Sequence, residues 1–196
     1  MEEKTMDQAR VGNLLKGLFW LNAAALAMSW VSLIPAVRGI MGWAGLIVPL
    51  ANAIVLLSLA QAGKRYRLAG ILCGIAAAGN LLLMLVGVAN NALAMALNIC
   101  SLVGLFNEYK GHAELIEKKD AKLADRWSTL FVVTIVVSVL SAMLVVVTVM
   151  IGLNAPINPD SITVLGVVIG LIPTLVVQVL YLVYLNRTCR LVEEGL

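Results

Sequence analysis

His112 is the single histidine of the chain. It stands in the run NEYKGHAEL, four residues after Glu108 and two before Glu114. An imidazole flanked by carboxylates can relay a proton as a general acid or base, or supply one corner of a metal site. Neither chemistry is completed by its neighbours. No second nitrogen or sulfur donor stands at ligand spacing, and the surrounding polar residues read as a solvated segment, so neither metal nor cofactor is expected. Asp120 and Asp125 lie five apart and do not share a helix face, so they do not form a magnesium-binding pair. Gly70, Gly74 and Gly79 do not follow a strand, which removes a nucleotide-binding reading. Cys73 and Cys100 lie in apolar runs and read as small buried hydrophobes. No C-x-x-C pair exists for thiol exchange.

The other residues able to do chemistry are amides embedded in apolar sequence: Asn22, Asn52, Asn80, Asn98 and Gln178. Asn52, Asn80 and Asn98 fall near the middle of their apolar runs. Such side chains either hydrogen-bond between helices as packing contacts or line a polar path. Packing is the plainer reading and a substrate or water path the sharper one.

These residues are positioned by elements that the composition identifies. The chain has 196 residues, 61% hydrophobic and 13% charged, with mean hydropathy +0.98. A soluble domain averages roughly 45–50% apolar and about 25% charged. So much apolar surface calls for lipid, with every backbone group satisfied inside helices. Six apolar spans are predicted, at 18–34, 43–62, 68–88, 92–106, 128–153 and 162–185. With a rise of 1.5 Å per residue and a hydrocarbon core of about 30 Å, the second, third and sixth cross comfortably. The fifth reaches roughly 39 Å and must tilt or project. The fourth reaches only about 22 Å and must borrow flanking residues. Asn91 is expected to cap it, and Asp160 or Ser161 the sixth. Pro49 and Pro173 should kink the second and sixth spans. An A-x-A pattern at Ala25 and Ala27 invites a signal-peptide reading, but the acidic leader and an apolar run continuing to Ile34 argue against cleavage.

Thirteen of the fourteen Lys and Arg residues fall in the N-terminal segment, the second turn, the polar stretch and the tail. Arg38 is the exception. Under the positive-inside rule both termini are cytoplasmic. The predicted fold is therefore an all-α integral membrane protein, a six-transmembrane-helix bundle with an amphipathic cytoplasmic helix between helices 4 and 5. Its parts are an N-terminal segment 1–16, a four-helix half 17–106, a connector 107–127, a two-helix half 128–185 and a tail 186–196.

None of these spans contains Asp, Glu, Lys, Arg or His, which speaks against a proton-coupled pump and against catalysis at hydrocarbon depth. The connector has five bases and five acids. On a helix its Ile116, Leu123 and Trp127 would form an apolar side lying along the membrane, with Glu114 and Lys118 paired at i,i+4. Those three side chains are the candidate docking surface. Trp20, Trp43 and Trp127 read as interfacial anchors. Two G-x-x-x-G pairs, at 70/74 and 166/170, mark close helix contacts and allow a homo-oligomer.

The leading expectation is a non-enzymatic scaffold, accessory subunit or regulator that meets a protein partner at its cytoplasmic face. The alternative is a small-molecule or lipid permease whose path is lined by Asn52, Asn80 and Asn98, with Gln178 as a further polar lining or packing residue. An enzyme at the cytoplasmic rim, built on His112 and its neighbouring carboxylates, comes third. The bilayer is the certain environment of such a chain, and nucleic acid is not an expected partner.

Overall fold

The computed structural model describes residues 2–31, 38–87, 90–154 and 159–194. Within them the chain is helical, with no strand: α1 Glu2–Val31, α2 Arg38–Ser58 with a short 3₁₀ extension Leu59–Gln61, α3 Lys64–Val86, α4 Asn91–Ile116, α5 Ala121–Asn154 and α6 Pro159–Glu193. Five of these contain segments long and apolar enough to cross a membrane: 8–29, 64–86, 91–116, 121–148 and 172–193. The apolar part of α2 described at side-chain level, Ile47–Gln61, is shorter. Pro49 and Pro173 lie inside helices that continue through them. The G-x-x-x-G pair at 166/170 and the Trp43 anchor concern side-chain positions outside the described residues, as do the expected caps Asp160 and Ser161.

Each helix packs on its neighbours in sequence, and α1 also packs on α6, so the contacts close into a ring. α4 additionally touches α6 across it. The short connections make successive helices antiparallel. One end of the bundle therefore gathers the start of α1, the α2–α3 and α4–α5 turns and the end of α6. The core lies toward this end, built on Leu15, Leu18, Leu56, Leu59, Tyr66, Tyr109, Ile116, Leu123, Trp127, Leu130, Tyr181 and Leu185. Toward the other end large hydrophobics are exposed, among them Leu85, Val86, Met95, Val136, Leu140, Met143 and Val146, as suits helices solvated by lipid tails.

The polar stretch does not form a helix of its own. Its first half continues α4 to Ile116, residues 117–120 turn, and its second half opens α5. The physical reason is in the caps and the packing. The Asp120 carboxylate accepts from the Leu123 backbone N–H at 2.9 Å, starting α5 well before the predicted 128. Ile116, Leu123 and Trp127 are each 0% exposed and pack into the core, so they form no docking surface, and Trp127 is no interfacial anchor. Trp20, by contrast, is 70% exposed. Glu114 pairs with Arg65 of α3, Nε to Oε1 3.0 Å, rather than with Lys118, which follows the end of α4 at Ile116.

The continuation also resolves the short fourth span: α4 has 26 residues, about 39 Å of helix. Its cap is Asn90, whose side chain accepts from Leu93 N at 3.0 Å, one residue earlier than expected. α3 ends at Gly87, whose φ of 69° puts the chain in the left-handed region and whose N–H returns to Leu83 O at 3.1 Å. Glycine is favoured there because a Cβ is strained at positive φ.

The turn 117–120 is tied to the end of α6. Arg187 Nη2 donates to Asp120 Oδ2 at 2.9 Å and Lys119 Nζ to Leu191 O at 2.8 Å. The Leu123 N–H, and then the Arg187 guanidinium, hold the Asp120 carboxyl below its ordinary value, with desolvation opposing them. A depressed folded value means that this contribution is complete above the unfolded carboxylate pKa, about 3.9, and is lost as pH falls through the lower folded one. Asp120→Asn keeps a capping oxygen but removes the charge. Thermal midpoints of this variant should fall less steeply than those of the wild type as the pH is lowered from about 5 through and below the carboxylate range; parallel curves there would refute the assignment.

Candidate functional site

α4 carries the site because its C-terminal third lies inside the ring. Close approach is possible there at two glycines. A Cβ on Gly104 would stand 2.6 Å from Cys73 Sγ, and one on Gly111 would stand 3.3 Å from both Arg65 Cβ and the Tyr66 ring. The backbone of α4 is thus drawn onto α3, and the flank bearing Glu108 and His112 faces buried side chains.

Four side chains form a linear chain of polar contacts. Tyr66 Oη lies 2.9 Å from His112 Nδ1. His112 Nε2 lies 3.7 Å from Glu108 Oε1, too long for a hydrogen bond. The Tyr181 hydroxyl donates to the same Glu108 oxygen. One donor pattern is consistent throughout: Tyr66 donates to Nδ1, Nε2 carries the imidazole proton and faces the carboxylate, and Tyr181 donates to that carboxylate. Nε2 itself has no hydrogen-bond partner among the described residues. Both Glu108 contacts fall on Oε1.

An aromatic cage holds this chain in place. His112 stacks on Trp127 with centroids 4.6 Å apart, and Trp127 meets Tyr109, Tyr181 and Tyr184 edge to face at 5.4, 5.5 and 5.9 Å. Trp127 Nε1 donates to the buried Thr188 hydroxyl at 3.1 Å. Removing the hydroxyl in Tyr66→Phe would leave the buried imidazole without its Nδ1 partner, which should cost about 1–3 kcal/mol. The drop in unfolding temperature relative to Tyr184→Phe, whose hydroxyl makes none of these contacts, checks this.

Glu108 also lines two cavities. One of about 280 Å³ lies among α1, α4, α5 and α6 and presents Asn22, Glu108, Tyr109, Thr134, Ser138, Gln178 and Tyr181 beside Leu, Val and Ala side chains. The other, also about 280 Å³, lies among α1, α2, α3 and α4 and presents Asn22, Asn52, Asn80, Ser101 and Glu108, with Pro49 and Cys73. Asn22, Leu105 and Glu108 belong to both linings. Asn22 and Asn52 face each other with reciprocal amide contacts of 3.5 Å, and Asn22 also donates to Leu18 O at 2.9 Å.

No family model matches this chain, and comparison with curated proteins and with solved structures returns no match.

The sequence-derived amides therefore separate. Asn52 and Asn80 share one cavity and Gln178 lines the other, whereas Asn98 is exposed and lines neither. One helical step decides the last point: Leu97 turns inward against Gly79, where a Cβ would stand 2.5 Å from Leu97 Cδ2, so Asn98 turns away. His112, expected in solvent, is 0% exposed. Cys73 and Cys100 are half-buried, with Cys73 on a cavity wall. Glu108, expected only as a solvated flank of His112, lies instead on the walls of both cavities. Ending the fourth span at Phe106 put the carboxylate outside the membrane, although Gly104, Glu108, Gly111 and His112 continue one helical face. A second signal was available: all four tyrosines of the chain, 66, 109, 181 and 184, occur near the same ends of the predicted spans.

Proposed function

We propose that this protein is a membrane-embedded small-molecule binding protein of the permease kind, in which six helices cross the bilayer with the charge-rich end and both termini in the cytoplasm. The observation that carries the reading is Glu108, a carboxylate set inside the helix ring at the junction of two cavities lined by amides and hydroxyls. An ionisable group inside a membrane bundle is expensive and marks a pathway or binding site by default. Cavities of this scale with a few convergent polar groups are how small-molecule sites are built. The amide-lined path is accordingly redrawn, with Asn52 and Asn80 on one side of Glu108, Gln178 on the other and Asn22 bordering both. Orientation rests on the positive-inside rule, which the gathering of the basic segments at one bundle end supports.

A docking role at the cytoplasmic face lacks the three side chains on which it was founded, since Ile116, Leu123 and Trp127 are core residues. An enzyme built on His112 lacks access for substrate, since that ring is enclosed by Tyr66 and Trp127.

The test is ligand-induced stabilisation of the purified protein in lipid nanodiscs, using a panel of small cationic, anionic and neutral amphiphiles, in the wild type and in Ala25→Phe. Ala25 lines the first cavity and is half-buried, so phenylalanine should fill it. At least one class of compound should raise the unfolding temperature of the wild type by several degrees and leave Ala25→Phe unmoved. No response in the wild type, or equal responses in both proteins, would contradict the reading.

A further inference from the structure

The chemistry of the first cavity narrows what it can hold. Its described lining contains one charged side chain, Glu108, and no base. Glu108 Oε1 is already occupied by the Tyr181 hydroxyl and faced by His112, while Oε2 has no hydrogen-bond partner among the described residues. Tyr109 and Tyr181, both buried, line the same cavity as the carboxylate, their centroids 5.5 Å apart and their planes inclined by 31°. The rest of the wall is Leu, Val and Ala with a few hydroxyls and amides.

A low-dielectric cavity with a fixed carboxylate and aromatic rings attracts positive charge twice over, by Coulomb interaction and by the ring quadrupoles. An anion would meet the carboxylate with no base to offset it. A neutral polar molecule would gain nothing from the carboxylate beyond a hydrogen bond. A small inorganic cation would need several oxygen ligands converging in a compact shell, whereas Glu108 is the one carboxylate in the lining and no group of three metal-ligating side chains occurs among the described residues. An organic ammonium or phosphonium with an apolar body meets every feature at once.

We infer that the cavity between α1, α4, α5 and α6 binds a lipophilic organic monocation, with Glu108 as its counter-charge and Tyr109 and Tyr181 as its aromatic wall. This rests on the small-molecule reading above and gives it a ligand class. The Tyr181 hydroxyl, which donates to Glu108 Oε1, holds the carboxylate in place, while His112 faces the same oxygen and lines neither cavity.

The test uses tetraphenylphosphonium as the cationic probe and tetraphenylborate as an anion of the same shape, titrated into wild-type protein in zwitterionic nanodiscs, with empty nanodiscs subtracted. The wild type should bind the cation saturably and at least tenfold more tightly than the anion. Glu108→Gln, which can still accept from Tyr181, should lose at least tenfold in affinity for the cation, and Glu108→Asp, which keeps the charge, should lose less. Unfolding temperature and elution profile verify that each variant is folded; if Glu108→Gln fails that check, the wild-type cation-to-anion ratio and Glu108→Asp decide. Equal binding of cation and anion, or an unchanged cation affinity in folded Glu108→Gln, would overturn the monocation assignment while leaving the cavity reading to its own panel and the Ala25→Phe control. Absence of binding by the cation, with neutral or anionic compounds stabilising the wild type in that panel, would overturn the assignment alone. Absence of any binding would overturn both.

Discussion

Trp127→Ala should be among the most damaging single substitutions in the protein. The indole is 0% exposed, stacks on His112, touches three tyrosines edge to face and donates to Thr188. Truncating a buried tryptophan costs about 3–5 kcal/mol through lost contacts and the cavity left behind. It would also orphan the Thr188 hydroxyl and unseat the imidazole. For a chain of this length that corresponds to a fall in unfolding temperature of roughly 6–20 °C. Trp20→Ala is the matched control: this indole is 70% exposed and its loss should shift the midpoint little. The two unfolding curves, measured in one detergent, provide the check. A mild effect at Trp127, comparable to that at Trp20, would mean that the start of α5 is not a core element.

The second large effect separates the two glycines of one motif. A Cβ at Gly70 would stand 2.7 Å from Leu57 Cγ and 2.8 Å from the Leu57 backbone nitrogen, so α2 and α3 would have to part. At Gly74 the nearest atom is Ala53 Cβ at 3.6 Å, an ordinary contact. Gly70→Ala should therefore destabilise by about 1–3 kcal/mol through overpacking, and Gly70→Val by more. Gly74→Ala should be neutral or stabilising by up to about 1 kcal/mol, because alanine is the better helix former. Opposite signs in a pair of thermal unfolding curves would place the G-x-x-x-G pair at 70/74 inside the bundle, on α2. Equal destabilisation at both positions, with loss of an oligomeric species, would place it at an interface between copies.

The helical class and most of the helices could be read from the sequence because apolar runs bounded by Gly, Pro and Asn are local signals. The α4–α5 region could not. Charge along 107–127 argues for solvent, but the side chains divide by helical face: Lys118, Lys122 and Arg126 are exposed, whereas Glu108, His112, Leu123 and Trp127 are enclosed. A carboxylate and an imidazole can be buried because each meets a tyrosine hydroxyl, and those partners, Tyr66 and Tyr181, are 46 and 73 residues distant. No local pattern carries that information. The amides illustrate the same limit at finer scale. Asn22 is not one of the three amides near the middle of an apolar run, yet packing of α1 on α2 brings it against Asn52. Asn98 lies near the middle of its apolar run, as Asn52 and Asn80 do, but is exposed on the outer face instead of lining the path, because position along a helix does not decide direction.

The central claim is that a polar cavity around Glu108 lies inside a bundle whose outer surface faces lipid. Cysteine accessibility tests it most directly. In a background with Cys73, Cys100 and Cys189 replaced by serine, Asn22→Cys would place a thiol on both cavity walls, and Ile54→Cys would place one on a side chain that is 64% exposed on α2. With a small charged thiol reagent applied to membranes open to it on both faces, Asn22→Cys should be modified and Ile54→Cys should not, since the first meets a polar cavity and the second hydrocarbon. Modification at Ile54 with none at Asn22 would contradict the account, because it would put water on the outside of the ring and none within it.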